Sequence, residues 1–331
     1  MKAYARRLSV LVVGFVLAAS LVITAGSINA QESQRNGSGL SISPTRSELR
    51  IEPGKTDKIE VSIRNVTRGD IVAKPFISDF ESDDATGEPK LISDTSKRSS
   101  ASIANFVSGL EDIPLKPGEN KNLTYTVSVP SNAAPGGYYG AVTYRAVPAN
   151  EATPGNGEVA LTANVASLVL IEVPGDITEQ IQITEFKVGR AVQNNAPKFS
   201  SFFTTNPNRA ALTVKNNGNS FSKPFGTVSL TNMSGKQIYS YELNNSTPRG
   251  NVLPKTSRAF TDEIKNVNKP GRYTLTANVS HGTGGEVITQ KVSFWYVPVW
   301  LLVVILILLL AVIGGVYFLY RKQFSGRKKR R

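Results

Sequence analysis

The single histidine of this chain, His281, stands beside Gly282-Thr283-Gly284-Gly285, and its 331 residues contain no cysteine. The common nucleophile–base pairs therefore lack their usual members. Disulfide frameworks, thiolate metal sites and lipid attachment at a signal-peptide cysteine are excluded as well. A histidine in so glycine-rich a stretch reads as part of a surface hairpin tip. The densest group of oxygen ligands is Asp79, Glu81, Asp83, Asp84 and Glu88, with Gly87 among them. Alternating carboxylates of this kind can hold Ca²⁺, although the spacing is not that of an EF-hand, and a solvated hairpin tip has the same composition. Two carboxylates could also serve glycoside hydrolysis, but that chemistry needs titratable groups converging in a deep groove. No enzyme and no cofactor is expected.

Aromatic residues offer another kind of chemistry. Tyr138 and Tyr139 are adjacent, so on a strand their rings point to opposite faces. The outward ring, together with Tyr144, would make a stacking platform for glycan; the alternative is a core aromatic plus a tyrosine that braces a turn through its hydroxyl. Phe202 and Phe203 lie in a polar stretch, 189–209, that reads as a long loop between strands. An exposed apolar pair there would mark a contact surface, and a buried pair would be core.

The elements that must position these residues are strands. Apolar residues alternate in Ile59-Glu60-Val61-Ser62-Ile63-Arg64, in Leu123-Thr124-Tyr125-Thr126-Val127-Ser128-Val129, and in Tyr273-Thr274-Leu275-Thr276-Ala277-Asn278-Val279-Ser280. Each pattern is that of a strand with one wet face. A Pro-Gly pair precedes each, at Pro53-Gly54, Pro117-Gly118 and Pro270-Gly271, where proline fixes φ and glycine supplies the positive φ of a type II turn. No long helical period appears before residue 297. The expected fold is an all-β ectodomain of two Ig-like β-sandwich domains in tandem, at 41–174 and 175–296, followed by one transmembrane α-helix. The boundary falls near Pro174-Gly175, after a nearly all-apolar stretch from Val159 to Val173 that closes the first domain, with 148–157 as a hairpin loop inside it. Residues 31–40 are expected to be a disordered lead.

Both ends carry targeting signals. A basic start, an apolar run at 8–23 and small residues up to Ala30 make 1–30 a secretory signal peptide, with an uncleaved anchor as the alternative. The stretch 297–320 has no charge and is long enough to span a bilayer. Trp295, Tyr296 and Trp300 flank one end and Tyr317, Phe318 and Tyr320 the other, as interfacial belts do. The basic tail 321–331 makes that end cytoplasmic, placing the ectodomain outside as a single-pass membrane protein. Removing the ten basic residues of the two terminal segments from the 38 in the chain leaves 28 against 25 acidic ones, a net of +3. That balance gives no footprint for nucleic acid. A cysteine-free exported chain fits bacterial export, where Asn-x-Ser/Thr triplets at Asn65, Asn122, Asn232, Asn245 and Asn278 mean little.

The phrase Leu115-Lys116-Pro117-Gly118, followed by Val127-Ser128-Val129-Pro130-Ser131-Asn132-Ala133-Ala134-Pro135-Gly136-Gly137-Tyr138-Tyr139-Gly140, resembles a recurrent bacterial Ig-like pattern. With the Ser41-Ile42-Ser43-Pro44 lead-in, a second Ig-like domain and an anchor with a basic tail, the layout over residues 40–325 resembles the WxL-interacting surface proteins of Gram-positive-type bacteria. That resemblance implies a non-enzymatic envelope protein binding cell-wall glycan (peptidoglycan) or another surface protein. The alternative is a membrane-tethered accessory or assembly factor that binds extended segments of secreted proteins by adding them to a sheet edge. Exposed edge strands without proline or lysine would favour the second reading.

Overall fold

The computed structural model describes residues 39–325 apart from 84–85, 93, 95, 97, 150–163, 193–194 and 283–285. The expected signal peptide, residues 31–38 of the lead, most of the 148–157 loop with 159–163, and the tail from 326 lie outside the described residues. Leu40, expected in the lead, is instead buried at the start of the first strand.

The chain is mostly β, with one C-terminal helix. Its N-terminal half comprises β1 (Leu40–Ser43), β2 (Arg46–Arg50), β3 (Thr56–Asn65), β4 (Ile71–Ser78), β5 (Phe80–Ser82), β6 (Pro89–Leu91), β7 (Val107–Ser108), β8 (Ile113–Leu115), β9 (Asn120–Ser128), β10 (Gly136–Pro148) and β11 (Asn164–Val173). The C-terminal half has β12 (Ile181–Val192), β13 (Asn195–Phe199), β14 (Phe202–Phe203), β15 (Arg209–Asn216), β16 (Phe225–Thr231), β17 (Gln237–Leu243), β18 (Ser257–Glu263), β19 (Gly271–Ser280) and β20 (Ile288–Tyr296), then α1 (Val299–Ser325). A four-stranded sheet, β1-β3-β9-β7, and a five-stranded one, β2-β11-β10-β4-β8, share the first core. The second core lies between β13-β12-β15-β18 and β14-β20-β19-β16-β17. In both five-stranded sheets the outermost short strand runs parallel to the last long one, β2 on β11 and β14 on β20.

Alternation explains which face each strand buries. Ile59, Val61 and Ile63 of β3 are in the first core, as are Tyr125, Val127 and Val129; Tyr273, Leu275, Ala277 and Val279 of β19 fill the second. Strand β10 is buried on both faces, because Phe80, Leu253 and Phe221 cover its outer side with Tyr139.

The same corner is built twice. At the end of β3, the buried Asn65 amide donates to the carbonyls of Gly69 (2.8 Å) and Leu115 (3.2 Å) and accepts from the Thr67 amide and hydroxyl. At the end of β15, Asn216 donates to the carbonyls of Ser220 (2.7 Å) and Val252 (3.0 Å) and accepts from the Gly218 amide. The carbonyl acceptors Leu115 and Val252 each precede a turn closed by a backbone bond, from Glu119 to Lys116 and from Thr256 to Leu253. Gly118 has φ 74° and Lys255 φ 62° at equivalent places. Asn65 thus makes the full set of bonds that an amide can make, and it is no glycan acceptor.

A second device recurs downstream. The Tyr138 hydroxyl donates to the Ala134 carbonyl (3.0 Å), and that of Tyr273 to the Lys269 carbonyl (2.6 Å). Each tyrosine follows a Pro-Gly pair, with φ 150° at Gly136 and 151° at Gly271. Pro270-Gly271 is therefore not the type II turn expected from sequence, unlike Pro53-Gly54 and Pro117-Gly118, where φ is 74°. It is the partner of Pro135-Gly136. The stretch 189–209 also differs from the expected loop: the end of β12, then β13 and β14, occupy most of it.

The halves meet where the second corner packs against the first five-stranded sheet. Asn219 accepts from the Gly137 amide (2.8 Å), Ser220 donates to Glu172 (3.0 Å), and Glu48 takes bonds from Asn251 (2.9 Å) and Lys223. Burial alone would raise the Glu48 pKa, but hydrogen bonds from Lys223 and Asn251, with the charges of Lys223 and Arg46, outweigh it and hold the carboxyl below its ordinary range.

An Asn65→Ala change would orphan the buried Leu115 carbonyl and remove the partner of the Gly69 carbonyl and the Thr67 amide. We expect it to lower the unfolding free energy by about 2–3 kcal/mol in chemical denaturation, whereas Asn122→Ala on the exposed face of β9 should stay within about 0.5 kcal/mol.

Candidate partner-binding edge

An exposed sheet edge is a row of unpaired N–H and C=O groups, and proteins normally blunt it with proline, lysine or brevity. Most edges here are blunted. Strand β13 carries Pro197 and Lys198, β8 carries Pro114, β7 and β14 have two residues each, and β1 has four. Arg46 and Glu48 tie β2 to the C-terminal half.

Two edges are not blunted. Strands β17 (Gln-Ile-Tyr-Ser-Tyr-Glu-Leu) and β18 (Ser-Arg-Ala-Phe-Thr-Asp-Glu) are seven residues long, without proline or lysine, and each ends its sheet. They end their sheets on the same flank of the second core, close enough for the Asp262 charge to act on Tyr241. In the N-terminal half the equivalent of β18 is β9, and β7 pairs with it through Val107↔Val127 and Ser108↔Thr126. Beside β18 no described strand takes that lane. Its first residues contact the loop before it, where the Arg258 guanidinium donates to the Asn251 carbonyl (3.0 Å).

Polar groups along this flank are short of partners. The Tyr241 hydroxyl is buried with no hydrogen bond, and burial, reinforced by the charges of Asp262 and Tyr239, pushes its pKa up. Burial likewise raises the Asp262 carboxyl. Phe260 faces the core and Thr261 faces solvent. An extended segment laid along β18 would meet a regular series of main-chain donors and acceptors, with Tyr241 and Asp262 beside it.

The residues singled out from sequence are placed differently. Tyr144 is fully buried and donates to the Tyr125 hydroxyl (2.9 Å). Tyr138 lies on the same strand face and packs on Phe106, with ring centroids 5.0 Å apart. Tyr139 points the other way, onto Phe80 (5.2 Å) and Phe221 (6.2 Å). The three rings therefore form no glycan platform: positions 138 and 144 share the core face by parity, and 139 is used in the contact between the halves. Phe203 is core, edge-on to Phe294, while Phe202 is 49% exposed beside Trp295.

The acidic group is also dispersed. Asp79 is buried, paired with Arg98 (3.3 Å) and accepting from the Ser99 amide (2.7 Å) and Ser102 hydroxyl (2.6 Å), so its oxygens face no cation site. Glu81 pairs across the β5–β6 ribbon with Lys90, Asp83 accepts from the Thr86 amide and hydroxyl, and Glu88 lies near Arg258. Asp84 lies outside the described residues. Among the described residues no group of three acidic or histidine side chains is placed to hold a metal. His281 is largely covered rather than free at a hairpin tip, with Nδ1 3.7 Å from Glu179.

No family model matches the chain and no curated protein does. Among solved structures, it is similar to the class 5 fimbriae chaperone CfaA at 14% identity and a TM-score of 0.37, over 78% of this chain and 99% of that one. The CupB2 chaperone of Pseudomonas aeruginosa matches at 10% identity and 0.33, over 77% and 100%. A chain from the complex of the SafA pilin with the SafB chaperone of Salmonella enterica matches at 13% and 0.34, over 78% and 95%.

Because burial raises the Asp262 pKa, the folded chain holds that proton to higher pH than the unfolded chain does, and stability falls as pH rises through the carboxylate range. Asp262→Asn should therefore raise the melting temperature at pH 7, with the gain shrinking toward pH 3. Thermal scans of both proteins across that range check this.

Proposed function

We propose that the chain is a membrane-tethered accessory or assembly factor that takes up an extended segment of a secreted protein by β-strand addition at the β17/β18 flank. The observation that carries this reading is the lane beside β18, which no described strand occupies, along a seven-residue edge free of proline and lysine. Strand addition needs such a lane, since main-chain bonds supply affinity and alternate side chains supply specificity. The expected alternative is favoured over glycan capture, because Tyr138, Tyr139 and Tyr144 are spent on packing.

The finer architecture belongs to the same proposal. Repetition of the asparagine corner and the braced tyrosine in each half supports two Ig-like β-sandwich domains in tandem, 41–174 and 175–296, as the WxL-interacting layout implies. One helix, Val299–Lys322, is long and apolar enough to cross a membrane, with mean hydropathy 3.2 and none of it buried in the protein. It supports a single-pass anchor in the cell membrane, with the basic tail inside and the sandwiches outside among envelope proteins. Export by the 1–30 signal peptide completes that arrangement.

The test is a tiled array of peptides from the secreted proteins of the source organism, probed with detergent-solubilised full-length chain. Binding should concentrate on peptides with alternating apolar residues. Thr261→Lys, which places a lysine on the open edge, should weaken it roughly tenfold or more, about 1.4 kcal/mol. Sedimentation with purified peptidoglycan, undisturbed by Thr261→Lys and with no peptide retained, would overturn the proposal and restore the glycan reading.

A further inference from the structure

The end of the C-terminal half that faces α1 has a composition of its own. Strand β20 stops at Tyr296 and α1 starts at Val299, and the Val297 amide between them donates to the Phe203 carbonyl (2.8 Å). Tyr296, expected in an aromatic belt, is core. The link to the helix is therefore two residues long and hydrogen-bonded to β14, too short and too constrained to hold the domain away from whatever surface the helix enters.

Three other features reach the same end. The β16–β17 hairpin does so through Thr231↔Thr274 and Gly271↔Tyr296, and its tip carries Met233, 75% exposed. Next to it, a groove of about 680 Å³ is lined by Met233, Ile238, Lys236, Lys269 and Arg272, and no acidic side chain lines it. On the outer face of the sheet, Phe202, Trp295 and Arg272 sit side by side in register across β14, β20 and β19, with Trp295 47% exposed. Exposed aromatic and thioether side chains interleaved with cations are the composition that partitions into a headgroup layer and attracts anionic lipid.

We propose that this end of the C-terminal half docks on the anionic surface of the membrane that α1 enters, with Met233 and Trp295 in the headgroup region and Lys236, Lys269 and Arg272 against lipid phosphates. The domain would then stand fixed on the bilayer, with the β17/β18 flank held parallel to the membrane normal. This inference rests on the reading of α1 as a membrane anchor.

The chain has two tryptophans, Trp295 and Trp300, so single reporters are readily made. Full-length chain in nanodiscs containing lipids brominated near the headgroup end of the acyl chains would be compared in two forms. Trp295→Phe leaves Trp300 to report the anchor; Met233→Trp with Trp295→Phe and Trp300→Phe reports the hairpin tip. We expect quenching of both reporters in phosphatidylglycerol discs. At position 233 quenching should be lost in phosphatidylcholine discs, in high salt, and when Lys236, Lys269 and Arg272 are changed to Glu. A quenched Trp300 with an unquenched, iodide-accessible reporter at 233 overturns the docking and leaves the anchor standing. Quenching at 233 that ignores lipid charge overturns the role of the basic groove, and an unquenched Trp300 overturns both anchor and docking.

Discussion

A primary amide sealed from water must find partners for its two donors and its carbonyl oxygen or destabilise the protein around it, and the architecture of each half is arranged around one such group. Asn65 and Asn216 end the inner strands β3 and β15 and bind the chain on both sides of a corner: the turn directly ahead of them, and the carbonyl that opens the next tight turn, at Leu115 or Val252. That second bond fixes where β9 and β18 start, beside the strand that carries the asparagine. The braced tyrosines, Tyr138 and Tyr273, then set the entry of β10 and β19 into the opposite sheet. Two polar fastenings per half decide which strands become neighbours, and apolar burial fills the space between.

The differences between the halves give each its own surroundings. In the N-terminal half, β7 covers part of the lane next to β9, and the outer face of the five-stranded sheet is closed by the β5–β6 ribbon and by Phe221 and Leu253. In the C-terminal half the connection from β17 to β18 supplies no strand for that lane. One end of this half is occupied by the contact with Glu48 and Glu172, and the other leads directly into α1. The flank between them is the one proposed to take a partner, and there the Tyr241 hydroxyl is buried without a hydrogen bond and the half-buried Asp262 carboxyl has its pKa raised by desolvation.

Much of this was legible in the residues. Alternation over 59–64, 123–129 and 273–280 located strands and their buried faces correctly, because period-2 burial leaves a direct trace in sequence. Parity along β10 also forbade a platform of Tyr139 with Tyr144, although only the structure shows both outer and inner faces of that strand to be covered. Three things left too little local signal to be read. Asn65 and Asn216 bond to carbonyls 50 and 36 residues away, so their role is tertiary. Pro270-Gly271 has the letters of a type II turn, yet the tyrosine two residues on makes it the counterpart of Pro135-Gly136. The open edge at β18 is an absence of pairing, and a run free of proline and lysine at 257–263 hints at it without revealing that no described strand lies alongside.

The most direct test of the account is backbone amide hydrogen exchange on the full-length chain, with and without an array-selected peptide of alternating apolar residues. The account predicts that about half of the β18 amides, those facing away from β15, exchange rapidly alone and become protected with the peptide, while β9 in the N-terminal half is unchanged. Protection that leaves β18 untouched and appears instead on the N-terminal half would contradict it.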